Sequence, residues 1–318
     1  MLVVGTYINI GGFKFPYVVE TETESSWENL TDKCQLRIPR KIRWGNISWF
    51  DGERLFRQGD KVTVQHGYDG SLKTVFTGYL SRIKPGSIIG FTCEDEMYKL
   101  KGAPITASYK SISLRQLLTN HLPVGVQFQC PDVELGQFRI TKASLAQVLE
   151  ELKKTYGLHS WFRDGKLYSG LAYWPELRST HTFTLGLDII DHDSLEYWRK
   201  DEIKIKVTGI SMLPNNTKIE VQDGDADGEQ RTLHYYNLTE SELKARVAEE
   251  LDRLRVDGFT GSFTVFGTPL VRHGDIIDLK DPRGFKGNSP GQYFVKRVTY
   301  TGGVNGLRQT IELDGQAR

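Results

Sequence analysis

Residues 55–64 read LFRQGDKVTV and residues 270–279 read LVRHGDIIDL, two versions of one motif. Leu55, Arg57, Gly59, Asp60, Val62 and Val64 match Leu270, Arg272, Gly274, Asp275, Ile277 and Leu279 without a gap. Further on, Gly78, Tyr79, Arg82 and Ile83 are answered by Gln292, Tyr293, Arg297 and Val298 if the second copy holds one extra residue. Gly90, Thr92 and Glu94 then correspond, with shifted spacing, to Gly306, Thr310 and Glu312. A period of roughly 215 residues is far too long for a solenoid, so the pattern reads as one small β-domain used twice in a chain. Duplication of that kind serves geometry rather than chemistry.

The surroundings of the first copy look all-β. Ile8 and Ile10 alternate with Asn9, Gly11-Gly12 suits a two-residue hairpin turn, and Phe13 and Phe15 alternate on the return. Cys34, Leu36 and Ile38, then Val62 and Val64, then Phe91 and Cys93 repeat the period of two. About six such strands suit a small closed barrel over residues 1–103. From Ser111 the period becomes helical, through Ile112, Leu114, Leu117, Leu118 and His121 up to Pro123. A second helix carries Leu145, Val148, Leu149, Leu152 and Tyr156 and stops at Gly157. With strands at 126–129 and a hairpin at 160–169, residues 104–176 are expected to form an α+β unit. Strands at 180–185 and 202–208, a polar loop at 223–230 and a helix with the capping box Thr239/Glu242 fill residues 177–258. That segment is expected to be partly inserted into a second barrel, which residues 259–318 close. The fold class is thus mainly β with an α+β insertion.

Composition excludes several functions. There are 41 basic and 40 acidic residues, a net charge of +1, so no overall field draws in nucleic acid or an anionic membrane. Cys34, Cys93 and Cys130 are few, far apart and free of any CxxC pattern, which predicts reduced, buried thiols rather than a disulfide framework or zinc cluster. No secretory signal and no run of eighteen apolar residues is visible, so synthesis and folding are expected in a cytoplasm.

Chemical motifs are few. Asp223, Asp225 and Asp227 with Gly228 match the start of a calcium loop, but position twelve is His234 rather than glutamate and a strand precedes the loop. A solvated turn explains them better. Arg37, Arg40, Lys41 and Arg43, interleaved with Ile42 and Trp44, form the one dense basic segment, a candidate contact patch for a neighbouring subunit. The seven histidines form no HExxH, and neither a GxSxG elbow nor a GxxxxGK[ST] loop occurs. His192 between Asp191 and Asp193, and the neighbours Glu94 and Asp95, alternate across an extended chain and read as surface groups. Arg57, Gly59, Asp60 and Arg272, Gly274, Asp275 admit two readings: equivalent subunit contacts, or a turn that opens a strand, which is preferred because it needs no partner. No catalytic, cofactor or metal site is expected.

The chain resembles the hub proteins of contractile phage tails, including the late control protein D of Mu-like phages and the N-terminal half of type VI secretion spike proteins. The residues that carry this are Phe56 to Val64, Gly78 to Ile83, Phe91 to Leu100 with its Cys-Glu-Asp core, Ser111 to Leu118, and Leu145 to Gly170 with Asp164, Gly165, Lys166, Leu167 and Tyr168. Gly267 to Asp281 and Gly291 to Val298 resemble the family's closing barrel. The resemblance implies a homotrimer whose two barrels per subunit make a pseudo-sixfold ring between tail tube and spike. Its partners would be itself, the tube protein, the spike protein and other baseplate proteins, in the tail of a virion assembled in a host cytoplasm, with nucleic acid only as a channel passenger. A needle or wall-degrading domain, present in some members, is expected on other polypeptides. The competing reading is an OB-like module binding nucleic acid or glycan through Trp44, Trp49, Trp161 and Trp174. An enzyme acting on cell-wall polymers would need two carboxylates facing one cleft.

Overall fold

The computed structural model describes residues 3–16, 18–44, 47–51, 55–213, 217–255, 257–282, 291–304 and 306–317. The N-terminal part contributes β1 (Val4–Ile10), β2 (Phe13–Phe15), β3 (Glu20–Ser26), β4 (Lys33–Pro39), β5 (Lys41–Trp44), β6 (Ile47–Asp51), β7 (Lys61–Tyr68), β8 (Ser71–Lys84) and β9 (Ile88–Glu94). Apart from the separate β5–β6 pair, they line up as β2-β1-β7-β8-β9-β4-β3. Period-two alternation drives the arrangement: in β4, Cys34, Leu36 and Ile38 are buried while Lys33, Gln35 and Arg37 are exposed. Ile8 of β1 and Leu36 of β4 belong to one core although three strands lie between theirs. At about 4.8 Å per strand a flat sheet would keep them far apart, so this sheet curls over its own interior. No strand pair among the described residues closes it into a ring.

The middle of the chain holds β10 (Pro104–Ser113), α1 (Leu114–His121), β11 (Gln127–Gln129), β12 (Glu134–Ser144), α2 (Leu145–Tyr156), β13 (His159–Arg163) and β14 (Lys166–Gly170). Both helices start in capping boxes, Ser113 with Gln116 and Ser144 with Gln147, and α2 ends at Gly157 with φ of 65°. The first helix lies a few residues later than its apolar spacing suggests, because Ser113 caps it and Ile112 belongs to β10. Leu114, Leu117, Leu118, Leu145, Leu149 and Leu152 share one core. Met97 and Leu100, from the 3₁₀ turn after β9, plug into the same core and tie it to the N-terminal sheet.

The remainder comprises β15 (Thr180–Thr184), β16 (Ile189–Asp191), β17 (Leu195–Trp198), β18 (Ile205–Met212), β19 (Lys218–Gly224), β20 (Glu229–Tyr236), α3 (Glu240–Leu254), β21 (Gly258–Phe266), β22 (Ile276–Lys280), β23 (Gly291–Gly303) and β24 (Arg308–Gln316). The three strands β19-β18-β20 back onto α3 through Val207, Leu243 and Val247. The other strands form a second sheet, β15-β22-β23-β24-β21, with β16 and β17 along the outer edge of β21. Thus β22, β23, β24 and β21 repeat the order of β7, β8, β9 and β4. One difference is that β1 runs antiparallel to β7 whereas β15 runs parallel to β22.

Backbone hydrogen bonds fix the alignment of the two copies. Gly59 N–H reaches the Leu80 carbonyl at 2.8 Å and Leu80 N–H the Asp60 carbonyl at 2.9 Å; Gly274 with Val295 and Val295 with Asp275 do the same at 2.7 and 2.9 Å. Leu80 therefore corresponds to Val295, Arg82 to Arg297 and Ile83 to Val298, but Tyr79 corresponds to Phe294 rather than Tyr293. Registers across the next hairpins place Thr92 against Glu312 and Gly90 against Thr310, two and four residues from the matches read in the sequence.

Candidate functional site

The repeated Gly-Asp segment is a turn in both places. The carboxylate of Asp60 accepts the Arg57 N–H at 2.8 Å, and that of Asp275 accepts the Arg272 N–H at 2.9 Å. Gly59 and Gly274 have φ of 90° and 82°, a left-handed region that a side chain would strain. Arg57 is exposed, while Arg272 pairs with Asp164 at 2.8 Å. Asp275 is more deeply placed than Asp60 and also accepts Ser179 N–H at 3.2 Å and meets His181 Nε2 at 3.1 Å.

The two sheets meet where β23 pairs antiparallel with β3, from Arg297 opposite Ser26 to Gly303 opposite Glu20. This seam makes one 14-stranded sheet of them. Lys296 lies 3.2 Å from Glu28 and 3.4 Å from Glu312; Arg297 lies 3.7 Å from Glu24, 3.7 Å from Glu28 and 3.5 Å from Glu312. Each group is about two-thirds shielded or more, apart from Glu24, so the network contributes more than isolated surface pairs do. Behind it, His66 of β7 is held between the hydroxyls of Thr6 at 3.0 Å and Thr21 at 2.8 Å and stacks on Tyr300 of β23. Burial pushes the His66 pKa down to about 4.

A cavity of about 480 Å³ opens beside this seam, where the N-terminal sheet, the β13–β14 hairpin and the 270–273 turn converge. Asp32, Asp95, Arg163 and His273 all line it. The Asp95 side chain is 5 % exposed, so the surface placement expected of it is wrong. Its Oδ1 caps the 3₁₀ turn by accepting Met97 N–H at 3.0 Å, and its Oδ2 accepts Asp32 N–H at 3.3 Å. Asp32 in turn accepts Ser26 N–H at 3.2 Å and the Ser25 hydroxyl at 2.5 Å. Desolvation raises both carboxyls above the usual range, and their mutual repulsion adds to the shift of Asp95. Arg163 donates to the His273 carbonyl and lies over Trp161. The Asp95 carboxylate is taken up by two backbone N–H groups, and that of Asp32 by the Ser26 N–H and the Ser25 hydroxyl, so both brace turns of the backbone. Asp32 carries no local sign in the sequence; an Asp immediately before the helical turn 96–101 is the available sign for Asp95.

The other sequence candidates stay apart. Asp225 pairs with Arg255 and accepts Ile205 N–H, Asp227 pairs with Lys204 at 2.6 Å, and Asp223 receives Gly224 N–H at 2.8 Å. Among the described residues no group of His, Cys, Asp and Glu is arranged to hold a metal ion. Arg37 pairs with Glu20 on β3 at 3.0 Å, Arg40 sits between β4 and β5, and Lys41 and Arg43 are on β5, with side chains outside the described residues. Trp161 and Trp174 are buried at 2 % and 6 % exposure, which removes them as stacking platforms; Trp44 and Trp49 have side chains outside the described residues.

No family model and no curated protein sequence matches the chain. Solved structures do. The 43 kDa tail protein of prophage MuSo2 from Shewanella oneidensis superposes with a TM-score of 0.65 at 17 % identity, over 98 % of each chain. The tail protein from Neisseria meningitidis MC58 gives 0.63 at 16 %, over 99 % of this chain and 96 % of that one. The E. coli c3393 protein, a component of the type VI secretion system, gives 0.60 at 12 %, over 98 % and 77 %. This chain has the fold of these tail and secretion proteins from end to end.

Proposed function

We propose that this chain is a non-catalytic structural component of a phage tail or related contractile injection machine, and that it forms the hub of the baseplate. In this reading three copies assemble so that six related sheets surround a channel, presenting sixfold order to the tail tube and threefold order to the spike. The supporting observation is the seam of β23 with β3, which joins two copies of one strand order side by side within a single chain. A head-to-tail contact of this type builds a ring when the same step is repeated and the rotation closes. Shared fold with phage tail proteins along the whole chain supports the same assignment.

Light scattering on the purified chain is the test: a mass of three protomers supports the reading, and a stable dimer or tetramer sinks it. Titration with single-stranded DNA over a salt series should show no steep salt dependence; Trp161 and Trp174, two of the residues offered for base stacking, are buried.

A further inference from the structure

Among the described residues the intrachain seam has an unfilled counterpart on the same molecule. Arg297–Thr299 of β23 pair with β24 on one edge and with β3 on the other. Their equivalents, Arg82–Lys84 of β8, pair with β9 on one edge. On the other edge the pairing with β7 ends at Tyr79, and no strand among the described residues follows. Arg82 and Lys84 are exposed.

The counterpart of β3 is equally incomplete. β3 runs along β4, with Glu24 opposite Lys33 and Thr23 opposite Cys34. Gln35 lies opposite Thr92, and Ser262 lies opposite Glu312, which equates Gln35 with Ser262 and so Lys33 with Thr260. Glu196 of β17 lies opposite Thr260. Glu196 is therefore the equivalent of Glu24, on a strand whose second edge is unpaired among the described residues. Charges match as well as registers. In the intrachain seam Thr299 stands opposite Glu24, and the Arg297 guanidinium lies 3.7 Å from the Glu24 carboxylate. In the vacant one Lys84 takes the place of Thr299 and Arg82 that of Arg297, two cations against one anion. Trp198 and Ile190, on the same outer border, are 39 % and 44 % exposed.

We infer that Arg82–Lys84 of one copy of this chain pair antiparallel with Leu195–Trp198 of a second copy, with Lys84 opposite Glu196 and Arg82 bound to the same carboxylate. The inference rests on the ring reading above and assigns its subunit-to-subunit contact. Directly opposed residues on antiparallel strands have Cβ atoms about 5 Å apart, so they can be bridged.

The test uses the full-length chain carrying both Lys84→Cys and Glu196→Cys, treated with a short thiol cross-linker, beside each single variant. The three native cysteines are buried and out of competition. Covalent species of two and three chains are expected only from the double variant. As a second measurement, Arg82→Glu should weaken association by on the order of tenfold or more, and Glu196→Arg in the same chain should restore it. A trimer by light scattering that neither cross-links nor responds to these charges overturns this contact and leaves the ring reading standing. A stable dimer or tetramer that does not cross-link overturns both, and a monomer that does not cross-link overturns this contact.

Discussion

Asp60 and Asp275 make the same pair of bonds to residues three positions upstream: each carboxylate accepts an arginine N–H, and each backbone N–H returns to that arginine's carbonyl. What differs is the setting. Asp60 serves its turn alone, whereas Asp275 also receives Ser179, just before β15, and His181 on β15.

Replacement of the two aspartates should therefore cost unequal amounts. Asp275→Ala leaves two N–H groups and an imidazole without their acceptor and is expected to destabilise the chain by about 3 kcal/mol. Asp60→Ala should cost about 1 kcal/mol. Urea unfolding of both variants measures the difference, and equal losses would contradict it.

His66 gives the seam a pH dependence. Its folded pKa, about 4, lies below the ordinary 6.5, so the unfolded chain binds more protons between these values. Stability should then fall as pH drops from about 6.5 to about 4, by roughly 3 kcal/mol from this group. His66→Gln, which keeps a hydrogen-bonding side chain, should lessen the slope of melting temperature over that window, the remainder coming from His159 and His273, which burial also shifts down. An unchanged slope would exclude His66 as its source.

The carboxyl pair acts in the opposite sense. Asp32 and Asp95 hold protons in the folded state at pH values where they lose them unfolded, so their contribution to stability falls as pH rises above the carboxylate range. Asp32→Asn keeps an acceptor for Ser26 N–H and removes the charge. It should raise the melting temperature at mildly alkaline pH and do little in acid; destabilisation at both would show that the carboxylate itself is required.

Gly157 tests the contact between the middle unit and the β18–β20 sheet. Its φ is 65°, and a Cβ added here would lie only 2.4 Å from the His234 ring, so Gly157→Ala combines backbone strain with overlap. A loss of about 2 kcal/mol or more is expected in thermal or urea unfolding.

Local signals in the sequence locate most elements. The stripe from Leu145 to Tyr156 with Gly157 behind it, the Thr239/Glu242 capping box and the Gly11-Gly12 turn all mark real boundaries, because each is a bond made within a few residues. Two long strands, Pro104–Ser113 and Glu134–Ser144, are not legible there because bulges interrupt their pairing and polar residues alternate along them. Of the polar stretch read as a loop at 223–230, residues 225–228 do form the turn, while 223–224 end β19 and 229–230 open β20, strand ends that carry few apolar residues. Pairings distant in sequence leave no local trace: nothing in Glu20–Ser26 announces that Arg297–Gly303 will lie beside it. The burial of Asp32 and Asp95 is hidden for the same reason, since it comes from three segments meeting.

Because β23 is zipped to β24 along one border and to β3 along the other, neither sheet can be peeled away while the rest keeps its shape. Load applied to one end of the molecule passes sideways through rows of parallel amide bonds that must shear together. For the tail component proposed above, such a strand would be a strut rather than a hinge.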